Sequence, residues 1–206
     1  MKNTLTKLIT VFFLTLSTWV TAQSESKNWD QPYKNEIAKE FSAYTQAIVD
    51  RKFDVAAEYI HPDFFEIIPK KSIISLMEMP YKMPNIEIEI VDPEVLSVED
   101  SENVEGRFYS IITYSNLMKI KVGTDEPETA EEKAERIALL NLSYQNKFGT
   151  DNVHYNEETE FFEIQITKKV IAISDDGQTG WKFIVGEKKQ KSILGKVIPK
   201  AILGKI

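Results

Sequence analysis

One stretch of this chain, residues 50–69, constrains its fold more than any other, and it reads DRKFDVAAEYIHPDFFEIIP. Its first half carries apolar side chains at the i, i+3, i+4, i+7 spacing of one helix face. These side chains are Phe53, Ala56, Ala57 and Ile60. His61-Pro62 ends the helix, because proline disfavours a helical conformation in the residue before it. The run 64–68 is short and rich in aromatic and β-branched residues, so a strand is predicted there.

Helical periodicity recurs elsewhere in the chain. Over residues 33–51 one apolar stripe predicts a long first helix. The stripe consists of Ile37, Phe41, Tyr44 and Ile48. A short third helix is predicted over 70–79, followed by a turn that Pro80 and Pro84 bracket. A longer helix is predicted over 130–148, and a short one over 192–203, interrupted by Gly195 and Pro199.

Alternation of apolar and polar residues predicts long antiparallel strands. Residues 85–98 alternate, with a bulge or an edge position expected at Asp92-Pro93. A charged turn joins them to a second strand over 104–122, which makes a hairpin. Residues 150–158 are polar and are predicted to form a loop. A strand over 159–174 and a last strand over 180–185 follow, joined by a tight turn that contains Asp176-Gly177.

The first 22 residues have the pattern of a secretory signal peptide. Lys2 and Lys7 make the start positive, an apolar segment follows, and small residues precede a cleavage site after Ala22. The alternative is a retained membrane anchor, but the apolar run is shorter than the roughly 20 residues that span a bilayer. The prediction is therefore an exported protein, periplasmic or extracellular, with no membrane span after cleavage and a flexible lead-in over 23–32.

Composition narrows the classes of partner. The absence of cysteine excludes disulfides, thiolate metal sites and a lipid-modified cysteine anchor, and it suits a bacterial envelope. Cleavage removes two of 25 basic residues and none of 32 acidic ones, which takes the net charge from −7 to −9, so nucleic acid is not a predicted partner. The tail over 187–206 is basic, and a solvated helical end is favoured over a surface for anionic lipid or glycan.

The order of these elements resembles the nuclear-transport-factor-2-like superfamily, also called SnoaL-like or cystatin-like. The resemblance is carried by the stripe of the first helix, by the passage over 50–65, and by GWKFI at 180–184. It implies an α+β fold over residues 33–186, a cone in which a curved antiparallel sheet wraps around the N-terminal helices. The helix over 130–148 is then an insertion between strands, and residues 187–206 form a basic helical tail after this single domain.

In such a cone the concave side of the sheet leaves an apolar pocket above the helix stripe. The predicted ligand-binding residues lie on or beside the central strands and the stripe: Tyr44, Arg107, Tyr109, Tyr114, Phe162, Trp181 and Phe183. Alternation alone does not say which of them face the pocket, and filling of the core is an equal alternative. A small apolar ligand is predicted, as is a homodimer through the outer face of the sheet.

His61 and Asp63, at the exit of the second helix, are the candidates for catalysis. An imidazole or carboxylate at the lip of an apolar pocket has a shifted pKa and can move protons. Capping and turn formation also explain His-Pro-Asp at a helix end, and that explanation is favoured. Neither a metal site nor a cofactor is predicted, because His154, the other histidine, lies in a distant segment and the methionines around Pro80 suit apolar packing.

Three functions remain open from the sequence. The favoured one is an exported, non-catalytic protein that binds a small apolar ligand or a protein partner through the concave pocket. The second is an enzyme that catalyses proton transfer or dehydration, with His61 or Asp63 as the base and a tyrosine as its partner. The third is a structural, envelope-associated module that docks through the helix over 130–148 and the basic tail.

Overall fold

The computed structural model describes residues 29–186 and 190–206, so the predicted signal peptide lies outside the described residues. The elements are, in chain order, α1 (Pro32–Val49), α2 (Phe53–Ala57), a first 3₁₀ helix (Pro62–Glu66), α3 (Lys70–Lys82), β1 (Ile86–Val98), β2 (Glu102–Val104), β3 (Arg107–Val122), α4 (Ala130–Phe148), a second 3₁₀ helix (Thr150–Asn152), β4 (Val153–Asn156), β5 (Phe161–Ser174), β6 (Lys182–Ile184), α5 (Lys191–Leu194) and α6 (Lys200–Leu203). The fold is α+β, as predicted. Among these helices none is both long and apolar enough to cross a bilayer.

The described strands form one antiparallel sheet. Its main order is β1-β3-β5-β4, while β2 also pairs with β3 and β6 also pairs with β5. The centre is the β3–β5 pair, which runs without a break from Phe108 opposite Ser174 to Ile120 opposite Phe162. The β1–β3 register shifts between Val91 and Glu94, where the sequence predicted an irregularity. The helix predicted between strands is α4.

One face of the sheet packs against the N-terminal helices. The stripe of α1 is directed at the sheet, and Ile37, Phe41 and Tyr44 are buried there. The ring of Phe41 lies 5.0 Å from that of Tyr114 and 5.1 Å from that of Phe183, measured between centroids. The small residues of α2 are fully buried in the same core. The predicted packing of this stripe on the sheet is confirmed.

The opposite face is covered by the C-terminal segment. Because neighbouring residues of a strand point to opposite faces, Tyr109, Ile111, Ile171, Ile173 and Ile184 point away from α1. They pack in a second core against the C-terminal side chains Leu194, Ile198, Ile202 and Leu203. A merely solvated tail was therefore the wrong expectation, because its apolar side chains lie on this face. The covered area is not available to a second copy, and pairing through the rest of the face stays a prediction.

The strand predicted over 64–68 is wrong, because these residues belong mostly to the first 3₁₀ helix. The short pairing with the sheet comes earlier: the His61 N–H donates to the Phe183 carbonyl at 3.1 Å, and the Phe183 N–H donates to the Tyr59 carbonyl at 2.7 Å. Pro62 has no N–H to continue this pairing, and the Phe64 N–H turns back to the His61 carbonyl at 3.0 Å. The aromatic residues reach the core through this turn.

Two further elements differ from the prediction. Helix α3 continues through Pro80 to Lys82, where the sequence predicted a turn. Pro80 has no N–H to donate to the Leu76 carbonyl, and the helix ends two residues later, so this loss falls in its last turn. The loop predicted over 150–158 contains strand β4, which pairs with β5 from Val153 opposite Ile164 to Asn156 opposite Phe161. The sequence did not predict β4, because this strand is short and half exposed and its composition is therefore largely polar.

Candidate functional site

Residues from three segments meet at one corner of the sheet, and we call them the Arg107 cluster: His61, Asp63, Arg107 and Asp175. The guanidinium of Arg107 donates through Nη1 to Asp63 Oδ2. Its Nε lies 3.7 Å from Asp175 Oδ1. The Asp63 N–H donates to His61 Nδ1 at 3.3 Å. The structure thus brings together both catalytic candidates and one predicted ligand-binding residue.

Local turns place these side chains. His61 is the N-cap of the first 3₁₀ helix, so its imidazole folds over the backbone of Asp63. Arg107 opens β3 directly after a tight turn in which Glu105 has a φ of 55° and Gly106 a φ of 88°. Such left-handed conformations suit a two-residue hairpin turn between β2 and β3. Arg107 is therefore the first residue of β3, at the turn of the β2–β3 hairpin, and it lies beside the segment that follows α2.

A second turn fixes the position of Asp175. The neighbouring Asp176 carboxylate accepts from the N–H groups of Gln178 and Thr179, at 2.8 and 2.7 Å, and from the Thr179 hydroxyl at 2.7 Å. These bonds hold the pKa of Asp176 far below its usual range. Hydrogen bonds within the loop between β5 and β6 therefore fix its conformation, and this conformation places Asp175 beside Arg107.

The electrostatics of the cluster centre on one cation between two carboxylates. The hydrogen bond to Asp63 raises the pKa of Arg107, so the guanidinium stays charged. Burial lowers the pKa of His61, against a smaller opposing effect of Asp63. The imidazole is therefore neutral at pH 7, and the bond that Nδ1 accepts assigns its proton to Nε2. Burial also raises the pKa of Tyr109, which neighbours Arg107.

The lowered pKa of His61 predicts a pH dependence of stability. The unfolded chain, with a histidine pKa of about 6.5, takes up a proton at a higher pH than the folded chain does. The free energy of unfolding should therefore be fully present above that value and fall as the pH drops from about 6.5 towards the folded pKa. Urea unfolding at several pH values between about 5.5 and 8 should show this slope, and His61→Gln should reduce it. His154→Gln, at an exposed position on β4, should keep the wild-type slope.

Two clefts flank the cluster, and Asp63 and Arg107 line both. The smaller, of about 270 Å³, also involves His61, Ser174 and Lys182. The larger, which we call the Arg107 cleft, has a volume of about 610 Å³ and lies under the C-terminal segment. Its lining residues are Asp63, Glu66, Val104, Glu105, Arg107, Tyr109, Gly195, Lys196, Val197, Ile198, Pro199 and Lys200.

The Arg107 cleft holds charges of both signs that are not neutralised by each other. Its C-terminal wall contributes Lys196 and Lys200, and its other wall contributes Glu66 and Glu105. Within residues 29–186 and 190–206, none of these four side chains forms an ion pair. By contrast, Arg107 and Asp63 are paired. The cleft can therefore bind an acidic group of a ligand through a lysine and a basic group of the same ligand through a carboxylate.

The other predicted ligand-binding residues lie elsewhere. Tyr44, Tyr114, Trp181 and Phe183 belong to the core between α1 and the sheet, and burial raises the pKa of both tyrosines. Trp181 and Phe183 are 0% exposed. Their rings fill space on the helix-facing side, the alternative that the sequence left open.

Phe162 lies beneath α4, away from the Arg107 cluster. Its ring centroid is 5.0 Å from that of Tyr144 and 4.8 Å from that of Tyr155. The seven predicted residues are therefore divided among three places, and only Arg107 and Tyr109 line the Arg107 cleft.

Sequence reasoning missed five charged contributors to the Arg107 cluster and the Arg107 cleft: Glu66, Glu105, Asp175, Lys196 and Lys200. The excess of lysine near the C-terminus was visible, but nothing local indicated that this segment folds back beside Arg107. In the described part of the chain, no group of three or more histidine or acidic side chains is arranged to hold a metal ion.

Comparison of the sequence with protein-family models gave no match, and comparison with curated proteins gave none either.

Proposed function

We propose that this protein is an exported, non-catalytic binding protein that takes a small zwitterionic ligand, of the size of an amino acid or dipeptide, in the Arg107 cleft. One observation carries the proposal: within the described residues, the lysines on one wall of the cleft and the carboxylates on the other form no ion pairs. A ligand with a carboxylate at one end and an ammonium at the other satisfies both walls. A ligand of one charge sign would satisfy one wall and be repelled by the other.

Size and lining support a ligand of this class. Binding clefts for small molecules span about 300 to 1,000 Å³, and this one has about 610 Å³. Val104, Tyr109 and Val197 add apolar surface beside the charged groups. They would contact an aliphatic side chain, while the charged walls orient the two ends of the backbone. A dipeptide with an apolar residue combines these features.

The cluster favours binding over proton transfer. The Asp63 carboxylate is already engaged by Arg107, which donates to its Oδ2 atom. The Nδ1 atom of His61 is already engaged by the Asp63 N–H. The sequence hypothesis required a base within reach of a tyrosine hydroxyl. The hydrogen-bond partner of Tyr109 in this cluster is the cation Arg107, although Asp63 also lies within electrostatic range. The contacts of these groups are those of a positioned charge network.

The proposal includes membership of the nuclear-transport-factor-2-like superfamily. Its support is the order of α1 to α3 before the sheet and the α1 stripe on the sheet. In such a cone a ligand would enter the concave side. Here Phe41, Tyr44 and Phe183 pack ring to ring between α1 and the sheet. This packing is the reason to place the ligand in the outer cleft. Export is supported by the signal-like start and the absence of cysteine.

Matched dipeptides test the proposal. Alanyl-leucine, its N-acetyl derivative and its C-terminal amide differ in which end is charged. We expect the zwitterion to raise the melting temperature of the protein and to bind about tenfold more tightly than either blocked form by calorimetry, because each blocked form leaves one wall unpaired. Equal affinity for all three, or no binding of any, would contradict the proposal.

Variants assign the effect to the two walls. The double variant Lys196→Ala/Lys200→Ala should weaken alanyl-leucine and the N-acetyl form, since both carry the carboxylate. Glu66→Gln should weaken alanyl-leucine and the amide instead. Lys71→Ala, at an exposed position on α3, is the matched control and should leave all affinities unchanged. Unchanged binding in the double variant would remove the cleft from the proposal.

A further inference from the structure

Helix α4 presents an apolar surface to solvent. Leu139 and Leu142 lie on this surface and are 68% and 56% exposed. They are three residues apart, so they share one face of the helix, and the exposed Ala138 lies beside them. The opposite face of α4 is directed at the sheet, where Tyr144 packs against Phe162. The two leucines therefore make no contribution to the packing of α4 on the sheet, and more than half of each stays in contact with water.

Charges of opposite sign flank the leucines along the helix. Glu131 and Glu135 precede them, and Lys147 follows them in the last turn of α4. Among the described residues neither glutamate forms an ion pair, and Lys147 forms none either, since its Nζ lies over the ring of Phe148, 5.0 Å from the centroid. A parallel pair of such helices would bring glutamates together. An antiparallel pair brings the acidic end of each helix to the basic end of the other.

The leucines set the register of such an antiparallel pair. If Leu139 of one copy packs beside the partner's Leu142, then Glu135 lies level with the partner's Asn146. The partner's Lys147 is then offset from Glu135 by one residue, about 1.5 Å along the helix axis, which is within reach of a lysine side chain. Two-fold symmetry repeats each contact, so one dimer contains the leucine contact twice and the Glu135–Lys147 pair twice. The face is thus complementary to itself in one orientation.

We propose that this face binds a second copy of the chain, with α4 antiparallel to α4 of the partner. Burial of the leucines supplies the attraction, and the paired charges select the orientation. The contact is small, because two helix faces of this kind bury roughly 1,200 Å² or less, which is the size range of weak complexes. The dimer should therefore be half formed at about 0.1 mM protein. It leaves the Arg107 cleft unchanged and does not depend on the function proposed for that cleft.

Sedimentation equilibrium of the protein without its predicted signal peptide, from about 10 μM to 1 mM, tests the proposal. The double variant Leu139→Ser/Leu142→Ser should raise the dissociation constant of the dimer at least about tenfold, because it removes the apolar contact. The matched control is Leu76→Ser/Met79→Ser on α3, where the side chains are 55% and 54% exposed, and it should keep the wild-type constant. A protein that stays monomeric over this range would overturn the proposal. So would a dimer that tolerates the loss of both leucines of α4, since it would form through another face.

Charge reversals test the antiparallel orientation. Glu135→Lys should weaken the dimer about tenfold, and Lys147→Glu should do the same, because each dimer contains the altered pair twice. Both substitutions in one chain should restore the dissociation constant to within about twofold, and so should an equal mixture of the two single variants. Lys71→Glu, at an exposed position on α3, is the charge control and should change nothing. Single reversals without effect, or a weakened dimer that neither combination restores, would contradict this pairing.

Discussion

Replacement of Leu194 by alanine is expected to destabilise the protein by about 2 to 5 kcal/mol, the usual cost of removing a large aliphatic side chain from a packed core. Leu194 is 1% exposed and packs in the second core against the outer face of the sheet. The same loss is expected for Ile202→Ala, which is also 1% exposed. Urea unfolding followed by circular dichroism measures both. If the C-terminal segment were only a solvated end, neither substitution would matter.

The adjacent residue supplies the matched control. Ile193 is in the same short helix but 42% exposed, so Ile193→Ala should change the unfolding free energy by less than about 0.5 kcal/mol. Similar effects at positions 193 and 194 would contradict the packing of this segment on the sheet. Removal of residues 187–206 should go further, because it uncovers Ile171, Ile173 and Ile184 together. The truncated chain should bind a hydrophobic dye and aggregate, as expected of a large exposed apolar patch.

The second large effect is expected at Trp181, which directly precedes β6. Trp181→Ala should cost about 3 to 5 kcal/mol, because the side chain is 0% exposed and its removal leaves a cavity. Its ring lies 6.3 Å from that of Tyr33, between centroids, so the loss also loosens the start of α1 against the sheet. Urea unfolding gives the magnitude, and the fluorescence of Trp29 is an additional probe.

Trp181→Phe separates packing from hydrogen bonding. Among the described residues the buried Nε1 atom of Trp181 has no hydrogen-bond partner. A buried N–H donor without a hydrogen bond destabilises the folded state. Phenylalanine removes this donor and keeps most of the buried aromatic surface. We expect Trp181→Phe to be much less damaging than Trp181→Ala. Equal losses from the two variants would show that the indole N–H contributes a bond.

Patterns within single elements predicted much of the fold. The helix over 130–148 matches α4, and its start was predictable because Thr129 and Glu132 form a capping box. The sequence also predicted the apolar stripe on α1 and the irregularity near Asp92-Pro93. Each of these features is set by residues close together in the sequence. Residues 64–68 show where such patterns fail. Their composition is typical of a strand, but the turn that follows Pro62 makes most of them part of a 3₁₀ helix.

The candidate site divides in the same way. His61, Asp63 and Arg107 were singled out by residue type, but their meeting depends on the pairing of Ile60 with Phe183 in the sheet. The Arg107 cleft depends further on the C-terminal segment, whose lysines read as part of a solvated end. No local pattern specifies either contact, since each joins segments far apart in the chain.

The amino-acid sequence by itself determined the helix stripes and the alternation of the long strands. Only the tertiary structure decided what covers each face of the sheet: α1 to α3 on one, and α5 with α6 on the other. The physical reason is that periodicity fixes where an element is apolar, whereas the choice of partner is set by long-range packing. The Arg107 cluster and the Arg107 cleft form where the exit of α2 and the C-terminal segment both lie beside the start of β3.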